Sequence, residues 1–259
     1  MITEIDKNYI REIINTGKRA DGREFYQFRD IEIKKGVVKN AEGSAMVKLG
    51  NTEVIVGVKM EIGEPFPDTP DEGVLMVNAE LTPMASPEFE SGPPDENAIE
   101  LARVVDRGVR ESKAIDLKKL CITPGEKVWI VYVDIHVIND DGNLMDASSI
   151  ATAAALQDTK IPKLEGDEIK RGEYVGNLEL RTIPIACTVV KINDNLLVDP
   201  DYEEESVTEG KITIVTISDE SLCAMQKSGI GGFAPEEIYK AIDISIEQGN
   251  KIRKKYFGE

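Results

Sequence analysis

Apolar residues follow two rhythms that alternate along this chain. In residues 3–16, Ile5, Tyr9 and Ile13 recur at spacing four, Thr3 and Asp6 form a capping pair, and Gly17 stops what reads as a short amphipathic helix. Ile31 and Ile33 then alternate, and from Gly43 the period becomes two. Ala45, Val47 and Leu49 share one face, Gly50–Asn51 marks a hairpin turn, and Val54, Val56, Val58 and Met60 alternate after it. A proline-rich loop at 65–73 precedes a strand at 74–81, and a loop at 86–97 leads into a helix spanning about 96–113. Residues 127–139 form a strand with one wholly apolar face, Trp129, Val131, Val133, Ile135 and Val137. After the turn NDDGN comes an alanine-rich helix whose small residues suit close packing on a sheet. Strands follow near 180–192, 195–199, 211–217 and 221–227, then a closing helix from Pro235 to about Tyr256 carrying Ile238, Ile242 and Ile252.

Two successive strand-rich segments, each ending in helix and joined without a low-complexity linker, predict an α+β architecture sharing one core. The expected divisions are an N-terminal helix at 1–17, a first half at 18–165 and a second half at 166–259, together one compact unit. No internal sequence repeat is evident.

At 259 residues, 41% hydrophobic and 31% charged, the composition is that of a globular domain and excludes a disordered chain. No apolar run approaches the roughly 20 residues of a membrane span, and the N-terminus lacks a basic stretch followed by an apolar one. The expectation is a cytoplasmic protein with no membrane partner. Cys121, Cys187 and Cys223 are sparse and odd in number, which predicts small buried hydrophobes and argues against a disulfide scaffold or zinc knuckle. The formal charge of −17 changes the picture most. Affinity for nucleic acid comes largely from neutralising phosphates, so this average surface cannot hold RNA. Any RNA contact requires a local basic patch or a more basic partner.

Several motifs at matching spacing carry a resemblance. R-x-D-G-R at Arg19–Arg23, E-G-S-A at Glu42–Ala45, L-G-x-T at Leu49–Thr52 and the block G-P-P-D-E-N-A-I-E-L-A-R-V-V-D-R from Gly92 to Arg107 resemble the RNase PH family. So do D-D-G-N-L-M-D-A at Asp140–Ala147 and V-D-P-D-Y-E-E-E-S at Val198–Ser206. The resemblance covers nearly the whole chain, and its Gly92 block looks like the non-catalytic exosome branch. It implies the RNase PH fold, two related βαβα-type halves of the kind seen in domain 2 of ribosomal protein S5.

Active members of that family cleave RNA with inorganic phosphate as nucleophile, which needs an anion site and nearby acids. Where active relatives carry D-G-G-T-R-T-A, this chain has Asp141-Gly142-Asn143-Leu144-Met145-Asp146-Ala147, with Met145 at the arginine position. Asp146 stands where a threonine opens the helix, and there a carboxylate is expected to cap the helix and repel phosphate. A second family arginine aligns with Asn97. The family's acid pair aligns with Glu204 and Glu205, and its last Asp with Lys211, although EEES also reads as an ordinary acidic surface run. On either reading no catalytic residue and no metal site is expected in this chain.

The helix at 96–113 holds the remaining candidates. Ala98, Leu101, Ala102, Val105 and Val109 form its core stripe, and Arg103, Arg107 and Arg110 cluster opposite. Composition alone also allows a solvated face of ion pairs, Glu100 with Arg103 and Arg107 with Glu111. The resemblance implies instead that Arg103 and Arg107 hold RNA phosphates near a partner's active site, with Arg110 a weaker candidate. Guanidinium suits that role, being always charged and bidentate toward phosphate. His136, the one histidine, shares a strand face with Asp134 but lacks a positioned third member, so it reads as structural. Gly229-Ile230-Gly231-Gly232 lacks nucleotide-loop spacing and reads as a turn.

As partners, the resemblance implies a catalytic RNase PH-like exosome subunit, in a ring that is a trimer of heterodimers. It also implies caps with S1/KH or zinc-ribbon domains and single-stranded RNA. Phosphate and Mg2+ or Mn2+ are expected at the partner's site, and no cofactor in this chain. Two rivals stand beside this reading: an active phosphorolytic exoribonuclease forming its own ring, and a purely structural subunit that never touches RNA.

Overall fold

A computed structural model describes residues 2–166, 168–218 and 221–258. Helix α1 (Glu4–Asn15) opens the chain, with the Thr3–Asp6 capping box formed. The first sheet contains β1 (Ile31–Lys35), β2 (Gly43–Leu49), β3 (Thr52–Gly63), β4 (Val74–Glu80), β5 (Cys121–Thr123) and β6 (Lys127–Asn139). Its order is β1-β2-β3-β6-β4 with β5 on β6, and only β4 runs parallel to its neighbour. Helices α2 (Glu96–Glu111) and α3 (Leu144–Asp158) follow β4 and β6. After the hairpin β7 (Lys160–Glu165) and β8 (Glu168–Asn177), the second sheet comprises β9 (Ile185–Ile192), β10 (Asn195–Val198), β11 (Gly210–Thr216) and β12 (Leu222–Gly229). It is antiparallel in the order β10-β9-β11-β12. A short helix, α4 (Tyr202–Val207), precedes β11. The closing helix α5 (Pro235–Ile252) ends in a wider turn through Phe257.

The alternation read from β2, β3 and β6 is the burial pattern observed. Ala45, Val47, Leu49, Val54, Val56, Val58, Met60, Val131, Val133, Ile135 and Val137 are all within 1% of complete burial. That face receives α3, whose residues from Asp146 to Leu156 are buried on every side. Small side chains permit the approach: a Cβ on Gly43 of β2 would lie 2.6 Å from the Ala155 carbonyl oxygen. The other side of α3 meets β9, which is buried on both faces, α3 covering one and α5 the other. Two sheets therefore enclose α2 and α3, and α5 closes the outside of the second sheet.

Two expectations need correction, on a strand start and on the cysteines, and one hairpin left no signal in the sequence. The strand expected from 180 begins at Ile185, because Pro184 has no N–H to give the ladder; before it, Leu180 makes only a single bridge with Ile115. The hairpin β7–β8 has no period-two apolar signal because β8 is exposed over most of its length, and the boundary drawn at 165/166 falls in its turn. Of the three cysteines only Cys187 is buried; Cys121 and Cys223 are half-buried.

Candidate functional site

Helix α2 starts at Asp95, whose carboxylate accepts the Ala98 amide at 2.8 Å. Leu101, Ala102, Val105 and Val109 are buried toward β4 and α3, which leaves Arg103, Arg107 and Arg110 on the exposed face. The Glu100–Arg103 and Arg107–Glu111 ion pairs that composition allowed do not form. Glu100 instead accepts a hydrogen bond from the Ser228 hydroxyl of β12. Neither Arg103 nor Arg107 makes an ion pair or hydrogen bond among the described residues. Arg110 differs, because its guanidinium is forked onto Asp106 at 2.7 and 3.0 Å and also donates to the Leu75 carbonyl at 2.9 Å. Of the three arginines, two are available to a ligand and one is held by its own chain. The available pair lines a groove of about 330 Å³ with Ile99, Val104 and Gln226.

Behind this face lies a cleft of about 160 Å³, which gathers Asn97, Met145, Glu205 and Lys211 from four separate elements. Asp140, Asn143 and Glu100 also line it. Burial raises the Glu205 carboxyl above its usual range, with the Lys211 ammonium working against the shift. Asp140 is likewise raised by burial, beside Asp141 and Glu88. For a phosphate, the Lys211 ammonium is the one positive group in this lining: Met145 offers no hydrogen, Asn97 no charge, and the carboxylates oppose an anion. A divalent cation would meet the Lys211 ammonium, and the described residues contain no metal-ligating cluster of three.

Asp146 does not do what its position suggested. The cap of α3 is Asn143 at φ 57°, with no side-chain capping bond. The Asp146 carboxylate turns into the core, accepting the Thr188 amide at 2.9 Å, the Thr188 hydroxyl at 2.8 Å and the Asn143 amide group at 3.0 Å. It pins α3 to β9, and burial, assisted by the Asp199 charge, pushes its pKa up to about 7. Gly142, at φ +84°, lets this loop press against α4: a Cβ there would meet the Asp201 carbonyl carbon at 2.5 Å.

Glu204 is structural as well. Arg19, 3% exposed, forks onto its carboxylate and also donates to the Val198 carbonyl at 3.0 Å and the Asp199 carbonyl at 2.8 Å. Arg23 and Arg29 both reach the fully buried Asp199 carboxylate, at 3.0 and 2.7 Å, and Arg29 also holds the Asp141 and Gly142 carbonyls. The R-x-D-G-R segment, which the sequence offered as a family motif without a role, is thus a clamp that joins the N-terminal region to the Val198–Glu204 segment. Its acceptors lie about 180 positions away in sequence, which local pattern cannot connect. His136 sits half-exposed on the outer sheet face, 3.3 Å from Glu80, whereas Asp134 accepts from Asn78.

Comparison with known proteins agrees with this geometry. The model for domain 1 of the 3′ exoribonuclease family (RNase PH) matches residues 27–162, and that for domain 2 matches residues 182–248. The exosome complex component Rrp42 of Methanocella arvoryzae is 51% identical over 261 residues, spanning 100% of this chain and 98% of that one. Its counterpart in Archaeoglobus fulgidus is 52% identical over 258 residues, spanning 99% and 97%. Among solved structures, a chain of the Archaeoglobus fulgidus exosome with RNA bound to the active site superposes with a TM-score of 0.92 at 51% identity, covering 98% of each chain. A chain of an archaeal exosome core gives 0.88 at 48% identity, covering 99% of this chain and 97% of that one. Rice Rrp46, 19% identical with a TM-score of 0.70 over 91% of this chain and 97% of that one, shares the fold. With both halves matched in order, and the motif residues drawn together around one cleft, the chain belongs to the 3′ exoribonuclease, or RNase PH, family.

Proposed function

We propose that this chain is a non-catalytic ring subunit of an archaeal exosome, assisting 3′-to-5′ phosphorolytic RNA degradation by an active family partner. One observation carries the reading. Two solvent-facing arginines without partners among the described residues, Arg103 and Arg107, stand beside a family cleft in which Met145 and Lys211 replace an anion-binding arginine and an acid. The cleft is unsuited to phosphate, whereas the helix face outside it is suited to the phosphodiesters of single-stranded RNA.

In this reading phosphate and Mg2+ or Mn2+ act at the partner's site, and this chain binds neither. The assembly is a trimer of heterodimers bearing S1/KH or zinc-ribbon caps. Among the described residues no helix is long and apolar enough to cross a membrane, and the cytoplasm is the proposed location. The test is nucleoside diphosphate release from poly(A) RNA, with phosphate and Mg2+ or Mn2+ supplied, by this chain alone, the partner alone and the two together. No release from this chain alone and faster release from the pair than from the partner are expected. Robust turnover by the purified chain overturns the proposal.

A further inference from the structure

Resting on that RNA-binding reading, we infer that the groove beside Arg103 and Arg107 holds one whole nucleotide, with Ile99 and Gln226 contacting its nucleoside. The groove is polarised along α2. Arg103 and Arg107 lie one helical turn apart, about 6 Å along the axis, and form its basic end. Glu96 and Glu100 line its other end. A bare phosphate gains from the first and is repelled by the second. A nucleotide uses both, since its phosphodiester is anionic and its sugar hydroxyl and base amino groups are donors.

Between the two ends the groove is not purely charged. Ile99 is 50% exposed there, an apolar surface on which a base or sugar face can rest. Across from α2, Gln226 of β12 supplies a neutral amide. Its Nε2 makes one long bond, 3.3 Å to the Lys227 carbonyl, and its Oε1 accepts none among the described residues. The wall carrying Gln226 is held in place: Ser228, two positions on, donates to Glu100, and on the neighbouring β11, which pairs with β12, Val215 lies against Gly108 of α2 at a distance where a Cβ would be 3.3 Å from its methyl group. Fixed walls, an apolar rest and an unused acceptor are what a nucleoside subsite requires. The consequence is a part of RNA affinity that salt does not screen.

The experiment measures binding of a labelled oligo(A) RNA by the assembled ring across a salt series, with ring integrity checked by sizing. Ile99→Ser and Gln226→Ala should each keep the wild-type slope of log affinity against log salt and lower affinity about fivefold to tenfold at every salt concentration. Arg103→Ala should instead flatten the slope. Gln226→Glu, which preserves size and adds charge, should weaken binding at least as much as Gln226→Ala and serves should the Ile99 variant impair assembly. Wild-type affinity in the Ile99 and Gln226 variants, with the Arg103 variant impaired, overturns the nucleotide subsite and leaves the RNA-binding reading standing. Wild-type affinity in all of them overturns the RNA-binding reading itself.

Discussion

Buried charge in this protein is concentrated where the N-terminal segment, the start of α3 and the turn before α4 meet. Asp199 has no exposed surface and is held by Arg23, Arg29 and Asn143, while Asp146 beside it relies on neutral donors only. That difference has a consequence in pH. An acid whose folded pKa stands near 7, well above its unfolded value near 4, is more protonated in the native state across that window. The contribution of Asp146 to stability therefore falls as pH rises from about 4 to about 7. Asp146→Asn removes the titration and keeps the bonding. The amide oxygen accepts from the Thr188 amide and Asn143, and its NH2 donates to the Thr188 hydroxyl, which can turn to Thr213 at 2.9 Å. Thermal unfolding between pH 5 and 8 should show a flatter profile for Asp146→Asn, with a relative gain at pH 8 on the order of 2–4 kcal/mol. A profile parallel to wild type would mean that Asp146 is not the group titrating.

At the scale of elements, α2 performs two tasks with opposite faces. Its apolar stripe closes the core against β4 and α3, and its exposed face carries the arginine pair. Because Arg103 and Arg107 hold nothing among the described residues, the double change Arg103→Glu plus Arg107→Glu should cost little stability, within about 0.5 kcal/mol per site. RNA affinity of the assembly should nevertheless drop, and the salt slope should shrink by about 0.7 for each phosphate that is no longer neutralised. Arg110→Ala is the internal contrast. It breaks bonds to Asp106 and the Leu75 carbonyl, so it should affect melting temperature more than the salt slope. An RNA affinity unmoved by the double change would assign the pair to plain surface charge.

At the scale of the whole molecule, a chain of charge −17 opposes RNA on average, so isolated copies should bind RNA poorly. Large apolar side chains stand exposed outside the α2 groove, among them Met84, Val175, Ile230 and Tyr239. In the proposed ring, neighbouring subunits cover them, and stable interfaces of obligate kind bury on the order of 2,000 Å² or more. Co-expression with the active family partner should raise the melting temperature and yield, by light scattering, the mass of a heterohexamer. An unchanged monomer in the partner's presence would count against ring assembly.

Wherever one face of an element meets water and the other meets the core, the residue pattern alone determined the outcome. The period-two runs of β2, β3 and β6 and the stripe of α2 are of this kind, because burial on one side imposes a period. Motif order was enough for the family, since Gly92–Arg107 and Asp140–Ala147 are contiguous. Only tertiary structure decided the rest. Strand β8 is exposed over most of its length and β9 is buried on both faces, so neither leaves a period to read. The Asp146 carboxylate reads from local sequence as a helix cap and becomes a core acceptor because β9, more than 40 residues on, presents Thr188 to it. The roles of Arg19, Arg23 and Arg29 are likewise set by acceptors near Asp199 that only the fold brings within hydrogen-bonding reach. Which arginines of α2 stay available was also a tertiary decision. Glu100, which could pair with Arg103 along the helix, is diverted by Ser228 of β12, and Arg110, paired locally with Asp106, is held further by the Leu75 carbonyl of β4.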